Sequence, residues 1–260
     1  MSKEITTELV KELRESTGIS IMQCKNALVE AEGDIEKALL VLKKKSGDIA
    51  SKKAGRNAKE GLITTVSNND KVVLLTLYCE TDFVSKNDDF IKLAKELTDI
   101  ALKDGFEKAK EVAIDKINLI IQKIGEKIEL GNIVEIEGST LGTYIHNGKN
   151  AIVVSLEGGD SELAKDIAMH ITAMNPSYLS QDKIPAETKE QVKEMFSKEI
   201  KDINKPEDIK EKILNGKIDA YFKEQTLMDQ IFIKDSNLTI KKLLSNSGAT
   251  IKEFIKESIK

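Results

Sequence analysis

The sequence predicts an α+β fold: an N-terminal three-helix bundle, then two duplicated strand–strand–helix subdomains, with a helical hairpin arm in the second. Three observations carry that prediction. Residues 1–47 hold three short helical periods, each opened by a capping side chain and closed by a glycine. Two later segments each run from a turn-linked pair of apolar strands into a helix with a near-identical seed, KLAKELTDIA at 92–101 and ELAKDIAMHI at 162–171. Two polar helices start at prolines, Pro185 and Pro206, which suit a first helical turn.

The elements follow in order. In the first helix Thr6 or Thr7 is the cap, Leu9, Val10 and Leu13 share a face, and Gly18 is the stop. The second starts at Ser20, carries a stripe of Ile21, Cys24, Ala27, Leu28 and Ala31, and stops at Gly33. The third starts at Asp34, carries Ile35, Ala38, Leu39 and Leu42, and stops at Gly47. A Lys-, Ala- and Gly-rich linker over 48–61 separates this module from the first subdomain, 62–138. There LITTV and VVLLTLYCE flank a turn at Asn68-Asn69-Asp70. Asn87 or Asp88 caps a helix with Phe90, Leu93, Ala94, Leu97 and Ala101 inward, and another runs from about Glu107 to Ile124, before Gly125.

Strands resume from Ile133 to Leu156, with GTYIH and AIVVSL joined at an Asn-Gly turn. They open the second subdomain, 139–260, in which SELAKDIAMHITAMN is a helix ended by Pro176. Residues 185–224 form the arm, broken at Asn204-Lys205, with Val192, Met195, Phe196 and Ile200 facing Ile209, Ile213 and Ile218. A strand QIFIKD, a helix TIKKLLSNSG and a strand ATIKEFI follow, and Ile255 and Ile259 suggest a last amphipathic turn.

Composition narrows the function. No apolar run nears the roughly 18 residues of a membrane span, and the charged N-terminus has no secretory h-region, so a cytoplasmic protein is expected. Cys24 and Cys79 lie apart in apolar patterns and read as reduced, buried thiols rather than a disulfide. The net charge is −4, Arg14 and Arg56 are the only arginines, and there is no Trp; that disfavours specific nucleic-acid recognition. The competing reading is a ribosome- or RNA-associated binding protein using the lysines of 43–56.

Catalytic constellations are absent: no phosphate-cradling glycine loop, no nucleophile elbow, no zinc spacing. The two histidines, His146 at a hairpin tip and His170 on an amphipathic helix, do not cluster, and His170 reads as a half-buried, satisfied side chain. The chain reads as a binding protein, not an enzyme, with no cofactor of its own. Its oddest place is LYCETDFVSKNDDF, 77–90, where a strand stops and Phe83 stands among polar residues. Either Phe83 tucks under the sheet or it is held out for a partner.

LVKELRESTGISIMQCKNALVEAEGDIEKA (9–38) closely resembles the N-terminal module of the bacterial elongation factor Ts family. CETDFVSKNDDF, KIGEKI, GTYIHNGKNAIVV and DIAMHITAMNP resemble further motifs of that family, in its order. The resemblance implies a guanine-nucleotide exchange factor for elongation factor Tu, with a ubiquitin-associated (UBA)-like N-terminal bundle. GDP and Mg²⁺ would then be bound by the partner. By motif, Thr81, Asp82, Phe83 and Val84 would approach the partner's Mg²⁺ and nucleotide site, Lys25 would contact its nucleotide-binding domain, and Ile124 and Gly125 would make further contacts beside the same turn. His146 and Ile233 would contact its distal domain. Lys234 departs from the apolar residue that members often carry after Ile233.

Overall fold

The computed structural model describes residues 4–201, 203 and 205–259. At the N-terminus α1 (Thr7–Thr17), α2 (Ile21–Glu30) and α3 (Ile35–Lys53) are capped by the side chains of Thr6, Ser20 and Asp34. Each cap oxygen takes an N–H that no helical carbonyl can reach. Leu13, Ile19, Cys24, Leu28, Ala38 and Leu42 close a small core between the three.

The glycine stops hold only in part. Gly18 ends α1 in the left-handed region, φ 69°. The second helix ends earlier than expected, at Glu30, and Gly33 closes the turn by donating its N–H to the Leu28 carbonyl at 2.9 Å. Gly47 does not stop α3, which runs on to Lys53, into the first six residues of the expected linker. The reason is tertiary: Ile49 and Ala50 pack on the core of the following sheet and helices. That burial outweighs the roughly 1 kcal/mol by which glycine disfavours a helix interior. Ile21 and Leu39, assigned to inner stripes, are exposed instead.

The chain divides into two compact units. The first runs up to Ile136 and adds Ile145–Ala151 and the segment from Lys256; the second is Glu137–Tyr144 with Ile152–Ile255. In the first, β1 (Glu60–Ser67), β2 (Lys71–Cys79) and β3 (Ile128–Glu137) form a sheet in that order. The strand β3 starts five residues before the expected Ile133. β1 and β2 pair antiparallel from Glu60 opposite Cys79 to Ser67 opposite Val72, and the Asn68 carboxamide accepts the N–H groups of Asp70 and Lys71 across the turn. β2 is central and buried over most of its length, which is why it reads as an apolar run broken by Thr76 rather than as an alternation. After β2 come a single helical turn, α4 (Asp82–Ser85), and then α5 (Asp88–Asp104) and α6 (Phe106–Ile124). Leu75, Leu77 and Cys79 meet Phe90, Leu93 and Leu97 of α5 and Ile117 and Ile121 of α6 in the main core.

The second sheet has the order β4 (Thr140–His146), β5 (Asn150–Glu157), β6 (Thr250–Ser258). The turn between β4 and β5 uses Asn147 and Gly148 at φ 53° and 69°, as an Asn-Gly hairpin requires. Ile152, Val154 and Leu156 pack against Ala164, Ile167, Ala168 and Ile171 of α7 (Ser161–Met174), together with Leu227, Phe232 and residues of α10 (Ile240–Asn246). The expected strand QIFIKD is not one: Ile231 makes a single bridge to Thr239, and the segment turns back on itself. The expected terminal amphipathic turn is also absent, because β6 simply continues to Ser258.

The arm is α8 (Ala186–Ile200) and α9 (Glu207–Gln225); Asn204 of the expected break lies outside the described residues. Val192 is buried with Ile184 and Phe222, flanked by Phe196, Ile218 and Tyr221, whereas Met195 and Ile209 are exposed. Among the described residues no helix is long and apolar enough to cross a membrane.

Candidate functional site

The place singled out by its sequence is a corner. β2 ends at Cys79, and Thr81 caps α4 in an extended conformation, its hydroxyl accepting the Val84 N–H at 3.4 Å. Asn87 then caps α5 by accepting the N–H groups of Asp89 and Phe90. A single turn between two caps points successive side chains about 100° apart. Val84 therefore goes inward, 6% exposed in the main core, while Phe83 stands in solvent at 81% exposure. The choice left open above resolves: Phe83 is held out.

What holds the corner still is a second segment from far along the chain. Gly125 ends α6 at φ 89° and ψ 5°, a left-handed conformation that turns the chain toward Glu126. The Glu126 carboxylate then accepts both donors of Thr81, the N–H at 3.0 Å and the hydroxyl at 2.8 Å. Because that hydroxyl gives its one proton to Glu126, its lone pair is free to cap Val84. Next door the Glu80 carboxylate accepts the Lys127 N–H at 2.6 Å and pairs with Arg56 at 3.2 Å. These bonds, the Lys127 one foremost, hold its carboxyl below the usual carboxylate range. The Lys53 ammonium, at the end of α3, donates to the Gly125 carbonyl at 2.6 Å. Residues 80–81 and 126–127 are thus cross-braced by charge-assisted bonds, the stronger class of hydrogen bond.

Cys79 is part of this scaffold and not a nucleophile. Its thiol donates to the Thr81 carbonyl at 3.2 Å, and burial, helped by the charges of Glu126 and Glu60, pushes its pKa up to about 12. Cys24 is also free and buried. Asp82, beside Phe83, is half exposed and pairs with Lys86 one turn on at 2.9 Å. The Lys86 ammonium holds the Asp82 carboxyl below its ordinary range, so the corner offers an aromatic ring next to a fixed negative charge.

The other expected residues are dispersed. Ile124 is half buried against the main core and Gly125 is exposed, both joined to the corner through Glu126. Lys25 is exposed on α2, at the edge of a hollow of about 330 Å³ lined also by Ile5, Val10, Arg14 and Ile21. His146 is exposed at the end of β4, with its Nε2 3.3 Å from the Asn147 amide nitrogen. Ile233 lies in the second unit, half exposed, its N–H donated to Nδ1 of His170 at 3.3 Å. His170, expected to be half buried, is fully buried. Lys234 pairs with Asp166 at 2.6 Å.

Glu80, Glu126, Lys53 and Arg56 were not nominated from sequence. The one available signal was an acid directly after the glycine of KIGE, and nothing local says which donor it meets. Among the described residues no three His, Cys, Asp or Glu side chains converge as metal ligands. The corner presents a braced tip, apolar at Phe83 and acidic at Asp82.

The profile of the family described as Elongation factor TS matches residues 80–259. The chain is 39% identical over 259 residues to elongation factor Ts of Alcanivorax borkumensis, an alignment covering 95% of this chain and 91% of that protein. It is 40% identical over 262 residues to elongation factor Ts of Francisella tularensis subsp. novicida, covering 97% and 91%.

Proposed function

The chain belongs to the elongation factor Ts family, the guanine-nucleotide exchange factors for elongation factor Tu, and from that premise we propose that Phe83 is the wedge by which it expels GDP. The observation that carries this reading is an aromatic ring 81% exposed on a single helical turn that is braced from both sides. An exposed Phe has no role in its own core; its apolar surface is available for burial in a partner, worth roughly 1.5–3 kcal/mol.

In the proposed mechanism, the partner would hold GDP with its phosphate loop and a Mg²⁺ that would neutralise charge on the phosphates. Phe83 enters between elements of that site, and its burial is gained only when they part. Asp82, paired with Lys86 beside the ring, would bring a carboxylate toward the site that holds the partner's Mg²⁺. Val84 anchors the turn from below, and Thr81, gripped by Glu126, sets the angle at which the tip enters. Coupling is reciprocal, so a factor that weakens GDP binding is itself displaced when nucleotide returns. Each tenfold change in nucleotide affinity takes about 1.4 kcal/mol, within reach of one buried ring.

Lys25 is assigned to the partner's nucleotide-binding domain, Ile124 and Gly125 to further contacts beside the turn, and His146 and Ile233 to the distal domain. We read α1–α3 as the UBA-like module, followed by the linker, the two subdomains and the arm, with the subdomains arising by duplication. The two helix seeds support that: Ala94, Leu97 and Ala101 on α5 correspond to Ala164, Ile167 and Ile171 on α7, all buried. The setting is cytoplasmic, without a membrane or specific nucleic acid as partner; GDP and Mg²⁺ belong to the GTPase, and the chain performs no bond chemistry. The test is release of fluorescent GDP from elongation factor Tu on adding this protein. Strong acceleration is expected; none from a cognate partner overturns the proposal.

A further inference from the structure

We infer that His170 is a positioning residue, a buried clasp that holds segment 230–234 so that Ile231 and Ile233 stand out together as one apolar contact for elongation factor Tu. This rests on the reading above that Ile233 touches the partner.

The segment alternates as a strand does, though it belongs to no sheet: Gln230 is 4% exposed, Ile231 56%, Phe232 7% and Ile233 43%. In a strand a ladder of hydrogen bonds would enforce that period. Here only a short bridge does so, with the Phe232 N–H donated to the Leu238 carbonyl at 2.8 Å and the Ile240 N–H to the Gln230 carbonyl at 3.0 Å, and His170 holds the segment beyond it. Its Nδ1 accepts the Ile233 N–H at 3.3 Å, so the ring proton sits on Nε2, which donates to the Gln230 side-chain oxygen at 2.9 Å. The Gln230 amide nitrogen in turn donates to the Glu224 carbonyl at 2.5 Å, which fixes which way that side chain points. Both ring nitrogens are thereby met, one as acceptor and one as donor, and the imidazole is satisfied in this way only when neutral.

Two neighbours lock the same segment. Phe232 packs beside the imidazole with ring centroids 6.0 Å apart, and Lys234 pairs with Asp166, one helical turn before His170 on α7. Helix packing alone does not call for a histidine at this place. Aligning the two seeds puts Ile100 of α5 where α7 carries His170, so the corresponding helix manages with an aliphatic residue. The ring gives the Ile233 N–H its acceptor, beside the bonds the segment makes with Leu238 and Ile240.

The decisive experiment titrates the full chain and its variants against elongation factor Tu loaded with fluorescent GDP. It reads the half-saturating concentration and the maximal release rate separately. The double variant Ile231→Ala/Ile233→Ala is expected to raise half-saturation about tenfold or more with the maximal rate kept. His170→Gln keeps a donor near the Nε2 place but loses the acceptor for Ile233, and is expected to raise half-saturation about fivefold. His170→Asn, whose side-chain oxygen falls near the Nδ1 place, should recover most of that loss. In the double-alanine background His170→Gln should add nothing further. The same fivefold rise in both backgrounds, or no rise in a folded variant, overturns the clasp. If His170→Gln does not fold, Gln230→Ala is judged by the same non-additivity. Unchanged half-saturation for the double-alanine variant instead overturns the contact reading itself.

Discussion

Two adjacent residues of one helical turn should separate exchange from stability. Phe83 is 81% exposed, so Phe83→Ala removes almost no packing from the free factor and should change its stability by less than about 0.5 kcal/mol. Val84, its neighbour, is 6% exposed in the main core among Leu77, Cys79 and Phe90. Val84→Ala deletes two methyl groups there and leaves a void, costing about 2 kcal/mol. Exchange should respond in the opposite order. If the ring is buried only in the complex from which GDP leaves, losing 1.5–3 kcal/mol slows release roughly 10- to 150-fold. Val84→Ala, assayed where it is still folded, should retain most of the activity, because the tip and its bracing remain. Stopped-flow release of fluorescent GDP gives the rate, and urea unfolding followed by circular dichroism gives the stability. The reasoning fails if Phe83→Ala destabilises the factor as much as Val84→Ala does, or if it exchanges GDP at an undiminished rate.

Three further outcomes follow from the bracing and the buried groups. Glu126→Gln leaves one acceptor oxygen for the two Thr81 donors; exchange should slow several-fold, and in a Phe83→Ala background should slow no further, as double-mutant release rates will show. The Cys79 thiol, raised to about 12, should resist alkylation at pH 8 until the protein unfolds, and prompt labelling of the native chain there would contradict its placement. Burial lowers the pKa of His170 below its ordinary 6.5, so the unfolded chain takes up the proton first as pH falls. Its stabilising contribution is therefore full above about pH 6.5 and declines below it by at most about 1.4 kcal/mol per pH unit, until the native pKa is passed. Its charged neighbours Asp166 and Lys234 are paired with each other. Urea midpoints between pH 5 and 7 should therefore fall less in His170→Asn than in the parent.

The caps, the left-handed glycines and the turns were legible in the sequence because each is settled within three or four residues. Thr6, Ser20 and Asp34 reach N–H groups three positions on, and Asn147-Gly148 needs only its own two dihedrals. The place of the candidate site was legible as well, since a lone aromatic among polar residues and several motifs in family order are linear facts. Gly47 was misread because a helix-breaking propensity of about 1 kcal/mol competes with burial that the linear chain does not display. QIFIKD was misread for a related reason: its apolar alternation is real, but its backbone is met by the segment turning back on itself at Leu238 and Ile240 and by His170, not by a sheet strand.

The sequence by itself determined the class of fold, most of the elements, the odd corner and, through its motifs, the family. The tertiary structure alone decided that Phe83 points out and Val84 in, and what holds each in place. The Thr81–Glu126 grip joins residues 45 apart in sequence and the His170–Gln230 bond joins residues 60 apart. A side chain's local pattern fixes the direction in which it leaves the backbone. Which donor meets which acceptor depends on where the rest of the chain has been folded to.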